Sequence, residues 1–371
     1  MRIMHIISGL KSGGAEKILL NLVTKESENF HCIISLTSKG SLSKEFRASG
    51  LLLYELNFTH NLINNFIQFF RLINLYIKVK PNIIQAWMYH ANLVATFLSF
   101  LMRNENIFWG IHRACELDNK DKYKFNAQKF SVYFSRFPKK IVYVSKFAEK
   151  FHLDLGFCAN NSCVISGSVD SNFFFEDKLK GQDLRKTLNI KKETFLIGMV
   201  ARYAKVKNFE MFFKAIFFLG EHINYKCLIV GEDINPNNLE LVSLIRKYNL
   251  SDKVILGDVA YSMCQVYNAF DVTLITSNSE SFGNCIIESL ACGTPLITTN
   301  VGCVDSIPKN FITITPHDNH IKLSELIESI YQGKIFHAFN SENLKRNAKD
   351  FIDKNFSSDA MINNYRRLWN A

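Results

Sequence analysis

The sequence contains no Cys-x-x-Cys pair, although it has nine cysteines in 371 residues. Zinc sites normally use cysteines at such short spacings. Several of these cysteines fall inside predicted strands or helices, which argues against a disulfide framework. The pattern indicates buried, reduced thiols of the kind found in cytosolic proteins. The sequence also lacks an Asp-x-Asp cluster at the end of a predicted strand. We therefore expect a reaction that needs no bound metal.

Long apolar runs are also missing. The longest predominantly apolar run, residues 93–102, is only ten residues long, whereas a helix needs about 20 to cross a bilayer. The N-terminal segment MRIMHIISG has the pattern of a strand and lacks the small-residue cleavage site of a signal peptide. We expect a cytoplasmic protein that does not span the membrane.

Acidic residues are scarce in one part of a basic chain. The formal net charge is +10, and residues 60–150 hold 14 Lys and Arg against 5 Asp and Glu, a balance of +9. No nucleic-acid-binding motif accompanies this charge, so it favours an anionic membrane surface or a phosphate-bearing acceptor. A solvated basic surface without a partner remains the simpler alternative.

A long helix is predicted over residues 62–79, inside this basic region. It carries apolar and basic side chains that would suit a membrane interface, namely Phe66, Ile67, Phe69, Phe70, Arg71 and Lys78. The alternative is an ordinary amphipathic helix whose apolar side faces the protein core. We favour the core-facing helix.

The length of the chain and its alternating pattern predict an α/β protein with two domains. A chain of 371 residues exceeds one ordinary core and suits two domains of about 170 to 190 residues. Strands and helices alternate along it, which is typical of doubly wound parallel sheets. We place the first domain at residues 1–175 and the second at 190–352, with residues 353–371 returning to the first.

The most informative stretch is TSNSESFGNCIIESLACGTPLITTNVG, residues 276–302. After a strand and a polar turn it predicts a helix from about Ser281 to Cys292, since Gly293 favours a helix end and Pro295 forbids continuation. The free N–H groups of the first helical turn would favour an anion such as phosphate. We expect these groups to come from Ser281, Phe282 and Gly283.

Two carboxylates, Glu280 and Glu288, flank this predicted helix start. Asn284 and Glu288 are four residues apart and therefore share one face of the helix. Because an ionised carboxylate accepts several hydrogen bonds, the pair suits two hydroxyl-bearing parts of one elongated ligand. For an isolated pair, a capping Glu280 and a solvated Glu288 would be the simpler interpretation.

The stretch resembles the signature of retaining glycosyltransferases of family 4, in which a Glu-x7-Glu pair is followed by a run similar to ESLACGTP. Other segments resemble that family too. Gly13 and Gly14 match its GGAE loop after the first strand, and Arg202 and Lys207 match its Arg-x4-Lys pair. The chain departs from the family pattern at Ser166 and Asp233, where the family usually has Asn and Gly.

The resemblance implies two Rossmann-like doubly wound domains facing a central cleft, the GT-B fold. It implies catalytic roles for Glu280 and for His90, which follows a predicted strand. It also implies a set of donor-binding residues: Gly13, Gly14, Arg202, Lys207, Ser281, Phe282, Gly283, Asn284 and Glu288. Arg113 is an acceptor-binding candidate by position only, and a surface role is an equal alternative.

The resemblance also implies retention of anomeric configuration and transfer from a nucleotide-diphosphate sugar, most simply a UDP-sugar, which is a substrate and not a cofactor. The expected acceptor is a lipid-linked oligosaccharide or another glycan of bacterial surface polysaccharide synthesis. The protein would then sit peripherally on the inner face of the cytoplasmic membrane. Two alternatives stay open: a nucleotide-sugar epimerase of the same fold, and a non-catalytic protein that binds nucleotide or glycan.

Overall fold

The computed structural model describes residues 1–371 apart from 12, 39, 60, 115–121, 258–259 and 335–341. The chain divides into two compact units. The first comprises Met1–Ser168 together with Ser358–Ala371, and the second comprises Val169–Ser357. Each unit is built around its own parallel β-sheet.

The first unit contains a sheet with the strand order β3-β2-β1-β4-β5-β6-β7, all parallel. Its strands are β1 Arg2–Ile7, β2 Phe30–Ser35, β3 Leu52–Glu55, β4 Ile83–Trp87, β5 Ile107–Ile111, β6 Lys140–Tyr143 and β7 Ser162–Val164. The central strands are almost wholly buried, so they are apolar on both faces instead of alternating.

Helices connect these strands on both faces of the sheet. They are α1 Gly14–Lys25, α2 Ser43–Ala48, α3 Leu62–Val79, α4 Tyr89–Met102, α5 Lys122–Phe134 and α6 Lys146–Asp154. The chain moves from β1 outward to β3 and then returns to β4 and onward to β7. Because crossover connections are right-handed, α1 and α2 lie on one face and α3, α4 and α5 on the other.

The second unit repeats this plan with the strand order β10-β9-β8-β11-β12-β13. Its strands are β8 Phe195–Val200, β9 Tyr225–Val230, β10 Val254–Gly257, β11 Val272–Ile275, β12 Leu296–Thr298 and β13 Thr313–Ile314. Its helices are α7 Lys178–Thr187, α8 Phe209–Phe217, α9 Leu239–Lys247, α10 Met263–Ala269, α11 Asn284–Ala291, α12 His320–Tyr331 and α13 Glu342–Phe356.

The boundary between the units lies at Ser168 and Val169, earlier than the position inferred from composition. The polar residues after 169 belong to the second unit because Val169 N–H donates to the Phe356 carbonyl (2.8 Å) and Ser171 donates to Asp353 (2.5 Å). Helix α7 also packs against α10. The last helix, α14 Ser358–Asn370, belongs to the first unit, where Tyr365 and Trp369 join the core beneath α1.

Helix α3 does not turn its aromatic side chains to the core, so the core-facing interpretation is wrong for Phe66, Ile67 and Phe70, which are all exposed. The side that faces the sheet is a different one, formed by Gln68, Leu72 and Val79. Phe69 lies between the two sides and is half-buried. Within the described part of the chain, no helix combines the length and apolarity needed to span a bilayer.

Candidate active site

The site candidates of the second unit lie where its sheet reverses direction. From the adjacent strands β8 and β11, the chain proceeds to opposite edges of the sheet. Such a switch point leaves a crevice at the carboxyl ends of the two strands, where open α/β sheets bind ligands. The loop after β8 contains Arg202 and Lys207, and the loop after β11 contains Glu280.

Lys207 and Glu280 meet at this switch point. Lys207 ends a short 3-10 turn, Lys205–Lys207, and its Nζ lies 2.5 Å from Glu280 Oε1. The hydroxyl of Ser277 donates to the same oxygen at 2.7 Å. The two side chains are largely buried, being 16% and 12% exposed, so bulk water screens their attraction only partly. The sequence-predicted basic turn and acidic turn therefore come together.

Backbone hydrogen bonds fix these two turns to each other. The Asn278 N–H donates to the Val206 carbonyl (2.8 Å), and the Thr276 hydroxyl donates to the carbonyl of Lys207 (2.9 Å). Asn208 adopts the left-handed conformation (φ 51) and caps α8, while its amide donates to Asn278 (3.0 Å). These hydrogen bonds connect the backbones of the two turns that carry Lys207 and Glu280.

Arg202 lies five residues before Lys207, directly after β8, and is exposed. Its guanidinium has no hydrogen-bond or salt-bridge partner among the residues that the structure describes. A third basic residue of this turn, Lys205, lines a cavity of about 780 Å³ together with Asn208 and Asn278. Lys207 and Glu280 do not line that cavity. Because the Arg202 guanidinium has no partner among the described residues, its N–H donors can bind an anionic ligand.

Glu288 lies on α11, and a buried tyrosine orients it. The Tyr267 hydroxyl donates to Glu288 Oε2 at 2.8 Å, and burial together with this neighbouring carboxylate raises the pKa of Tyr267. The phenol therefore stays protonated and can donate its proton to Glu288. Asn284 lies one turn earlier on the same helix and is exposed.

Helix α11 begins at Asn284, three residues later than predicted, because Gly283 takes the left-handed conformation (φ 82) and forms its N-cap. The carbonyl of Phe282 accepts from the Cys303 N–H (2.8 Å), and the Phe282 ring is buried against Phe356. The predicted source of the helix N-terminal N–H groups, Ser281 to Gly283, is thus a turn before the helix. Asn284 and Cys285 supply the first helical N–H groups.

The candidates of the first unit lie at its own switch point, between β1 and β4. Gly13 is the N-cap of α1, and Gly14 opens that helix; apart from its chain neighbours and the helix backbone, no described atom lies within 4 Å of where a Cβ would stand. His90 is exposed in the first turn of α4. Ser8 joins the two loops, since its hydroxyl contacts the Trp87 carbonyl (3.5 Å) and the Ala91 N–H (3.4 Å).

Arg113 follows β5 and is half-buried. Its neighbour His112 stacks on Trp87 with ring centroids 5.1 Å apart, and neither of its ring nitrogens has a hydrogen-bond partner in the part of the chain that the structure describes. Burial lowers the pKa of His112 to about 3, so its imidazole is neutral near pH 7. The sequence gives no signal for this stack, because it depends on the pairing of β4 with β5.

Three supporting residues were missed at the sequence level: Ser277, Asn208 and Tyr267. Asn208 directly follows Lys207 and Ser277 lies three residues before Glu280, so their position in the sequence was a usable signal. Tyr267 lies 21 positions from Glu288, and only the fold brings it there. Among the described residues, no group of three or more His, Cys, Asp or Glu side chains is arranged to hold a metal ion.

Residues 181–351, which lie within the second unit and include Lys207, Glu280 and Glu288, match the model of the family described as glycosyl transferases group 1. The match covers the part of the chain in which the basic and acidic turns meet. Over these residues the second unit is therefore similar in sequence to the group 1 glycosyl transferases. The finer assignment to family 4 stays a prediction.

Two relatives show how far the sequence similarity extends. The chain is 20% identical over 380 aligned residues to the capsular polysaccharide biosynthesis glycosyltransferase CapM of Staphylococcus aureus, covering 100% of this chain and 97% of CapM. It is 28% identical over 162 residues to the O-antigen biosynthesis glycosyltransferase WclY of Escherichia coli. That second alignment spans 44% of this chain and only 43% of WclY.

The fold is similar to that of HepE from Anabaena. A crystal structure of HepE in complex with UDP matches with a TM-score of 0.86 and 17% identity, covering 100% of both chains. A HepE complex with UDP-glucose matches with a TM-score of 0.83 and 17% identity, covering 100% of this chain and 99% of that one. The predicted pair of Rossmann-like, doubly wound α/β domains is confirmed, and it matches the GT-B fold.

Proposed function

We propose that this protein is a retaining glycosyltransferase that moves a hexose from a UDP-sugar to a hydroxyl of a glycan acceptor in bacterial surface polysaccharide synthesis. The observation that carries the proposal is the Lys207–Glu280 contact at the switch point of the second sheet. The group 1 family match over residues 181–351 supports it. So do the UDP and UDP-glucose complexes of HepE, and the roles of CapM and WclY in capsule and O-antigen synthesis.

Of all parts of the donor, the nucleotide diphosphate is the one whose binding groups can be assigned most specifically. Arg202 offers a planar fork of donors and Lys207 a compact cation, and together they suit the two phosphates. The N–H groups at the start of α11, approached past Gly283, add a partial positive charge. Glu288, which accepts a hydrogen bond from the Tyr267 hydroxyl, would accept hydrogen bonds from the ribose.

Glu280 is the group we assign to the transferred sugar, and Asn284 lies on the exposed side of the same helix start. In the reaction the bond from the anomeric carbon to the phosphate oxygen breaks, and a bond to the acceptor oxygen forms on the same face. The acceptor proton passes to the departing phosphate. Glu280 would stabilise the positive charge that develops on the sugar. Lys207 and Arg202 would stabilise the negative charge on the phosphate.

The first unit supplies the remaining assignments. His90, exposed at the start of α4, would contact the sugar of the donor, and Gly13 and Gly14 would let the backbone of their loop approach it closely. Arg113 is assigned to a phosphate-bearing acceptor. We propose a lipid-linked acceptor, a peripheral position on the inner face of the cytoplasmic membrane, and a reaction that needs neither metal nor cofactor.

The experiment is a thermal-shift screen of UDP- and GDP-sugars, followed by an assay of the best donor with lipid-linked glycan acceptors. A ligand that binds only the folded state raises the melting temperature, so a shift with one UDP-sugar identifies the donor. Release of UDP that requires acceptor, with a product of unchanged anomeric configuration, is the expected result. Activity that persists in excess EDTA supports the metal-free reaction.

Other outcomes would contradict the proposal in different ways. Conversion of the donor without any acceptor would indicate a nucleotide-sugar epimerase. Binding of UDP-sugar without turnover on any acceptor would indicate a binding protein. No shift with any nucleotide or nucleotide sugar would overturn the assignment of the second unit itself.

A further inference from the structure

Helix α3 presents an apolar stripe to solvent. Six side chains form it, each more than half exposed: Leu62, Ile63, Phe66, Ile67, Phe70 and Ile77. Their spacing follows the helical repeat, so they form one continuous band on the side opposite Leu72 and Val79, which are buried. We call this set the α3 stripe. A band of this size on a single helix marks an interaction surface.

Basic residues border the α3 stripe. Arg71 and Lys78 are seven residues apart, and both are exposed along one edge of it, while Lys80 is exposed at the helix C-cap. The helix contains no acidic residue, and between residues 61 and 114 the chain has five Lys or Arg and one acidic residue, Glu105. The surface thus combines aromatic and aliphatic side chains with charge of one sign.

The same layer of the first unit carries further exposed aromatic side chains. Right-handed crossovers put α4 and α5 on the same face of the sheet as α3, and the Tyr76 hydroxyl accepts from Asn104 at 3.0 Å, which ties the last turn of α3 to the end of α4. Phe97 on α4 and Tyr133 on α5 are 51% and 70% exposed. The apolar character therefore extends beyond a single helix.

We propose that the α3 stripe inserts into an anionic lipid bilayer, with Arg71, Lys78 and Lys80 on the headgroups. Amphipathic helices with Phe and Leu on one side and Lys or Arg beside them lie in the bilayer interface and sink about 5–10 Å into it. A second copy of the chain fits less well, because two such stripes would bring basic edges together. The inference rests on the proposed function only in that a lipid-linked acceptor would be met at a membrane.

Co-sedimentation with vesicles tests the proposal. The full chain should bind vesicles of phosphatidylcholine with phosphatidylglycerol at low salt, and should bind pure phosphatidylcholine vesicles weakly. The double variant Phe66→Asn/Phe70→Asn should bind anionic vesicles about tenfold more weakly or worse, since it removes two inserted rings. The affinity of Arg71→Gln/Lys78→Gln for anionic vesicles should be roughly tenfold lower than that of the unchanged chain at low salt, and the difference should be much smaller at high salt.

Matched controls lie in the second unit. Leu179 and Leu239 are 72% and 78% exposed, so Leu179→Asn/Leu239→Asn removes the same kind of surface elsewhere. Lys191→Gln/Lys192→Gln removes two exposed charges. Both control variants should bind vesicles like the unchanged chain. All four variants alter exposed residues and should keep the melting temperature and the UDP-induced shift.

Insertion depth gives a second readout. The native Trp87 and Trp109 are wholly buried, and Trp369 is nearly so. The fluorescence of an exposed tryptophan introduced by Phe66→Trp would therefore report on the α3 stripe. Lipids brominated on their acyl chains should quench it strongly, and should not quench the tryptophan of Leu179→Trp.

Two results would overturn the proposal. One is vesicle binding by the α3-stripe variants equal to that of the controls. The other is concentration-dependent dimerisation that Phe66→Asn/Phe70→Asn abolishes, without vesicle binding by the unchanged chain. Failure of the proposed function would look different: no UDP-induced shift in any variant, while vesicle binding still follows the α3 stripe.

Discussion

Lys207 Nζ lies 2.5 Å from Glu280 Oε1, although the two residues are 73 positions apart in the chain. The contact joins the loop after β8 to the loop after β11, and Ser277 donates a second hydrogen bond to the same carboxylate oxygen. Because both charged side chains are largely buried, removing either one leaves the other poorly compensated. The pair therefore belongs to the fold of the site as well as to its chemistry.

Glu280→Gln should reduce sugar transfer about 100-fold while leaving UDP binding within a few-fold of normal. The amide keeps an oxygen for Lys207 and Ser277, but it no longer offers a negative charge to the sugar in the transition state. Turnover and UDP affinity are measured on the same preparation. Glu210→Gln, which changes a more exposed carboxylate on α8, should leave turnover unchanged. Full activity of Glu280→Gln would contradict the catalytic role.

Tyr267→Phe should weaken UDP binding several-fold. It removes the hydroxyl that orients Glu288, and a hydrogen bond to a charged group contributes about 1.5–3 kcal/mol. Tyr225→Phe is the control, since its hydroxyl donates to the Ile216 carbonyl at 3.4 Å, away from Glu288. Both variants are compared by calorimetry with UDP. Equal UDP affinity in the two variants would mean that Tyr267 only stabilises the fold.

Gly302→Ala should both destabilise the second unit and abolish nucleotide binding. Gly302 has φ 63, and a Cβ there would stand 2.2 Å from the Phe282 carbonyl oxygen, so the turn before α11 must move. Gly50→Ala is the matched control, because Gly50 has φ 72 but, its chain neighbours apart, no described atom lies within 4 Å of its Cβ position. The control should lose about 1 kcal/mol of unfolding free energy, and Gly302→Ala clearly more. Similar melting temperatures would contradict the close-packed turn.

The free energy of unfolding should fall as the pH drops below about 6.5, the ordinary pKa of histidine. Burial lowers the pKa of His152 to about 4, so the unfolded chain binds a proton there that the folded chain does not. The free energy of unfolding therefore decreases as the pH falls from about 6.5. The decrease reaches about 3 kcal/mol near the pKa that His152 has in the folded state. Burial also lowers the pKa of His5 and His31 and adds to the same slope.

Denaturant titrations between pH about 7.5 and 5 measure this slope. His152→Gln should make it shallower, because the titrating group is gone. Its ring bridges the Tyr89 hydroxyl and the Ala148 carbonyl, each at 2.7 Å, so some stability is also lost at pH about 7.5. Stability that rises as the pH falls from about 6.5 to 5 would contradict the burial of neutral histidines.

Local sequence signals were sufficient for most of the sheet. β5 Ile107–Ile111 and β8 Phe195–Val200 are short apolar runs that follow polar residues, a pattern that predicts a buried strand. The meeting of Lys207 and Glu280 also follows from such signals. Each residue stands just after a strand end, and the strand ends share one edge of the sheet.

The features that local signals did not predict depend on distant partners. The start of α11 depends on Gly302 and on the bond from the Cys303 N–H to the Phe282 carbonyl. The end of the first unit depends on the pairing of Val169 with the end of α13. In α3 the helical repeat identifies residues that share a face, but it does not tell which face the sheet covers. The prediction that the apolar side of α3 faces the core was wrong because that side is exposed.

The most direct test of the central claim is the affinity for UDP measured by calorimetry in four proteins: the unchanged chain, Lys207→Ala, Glu288→Gln and Lys205→Ala. If the basic turn and the acidic helix hold one nucleotide, Lys207→Ala and Glu288→Gln should each lose about 1–3 kcal/mol of binding free energy. Lys205→Ala should bind UDP like the unchanged chain. Unchanged UDP affinity in both Lys207→Ala and Glu288→Gln would contradict the account.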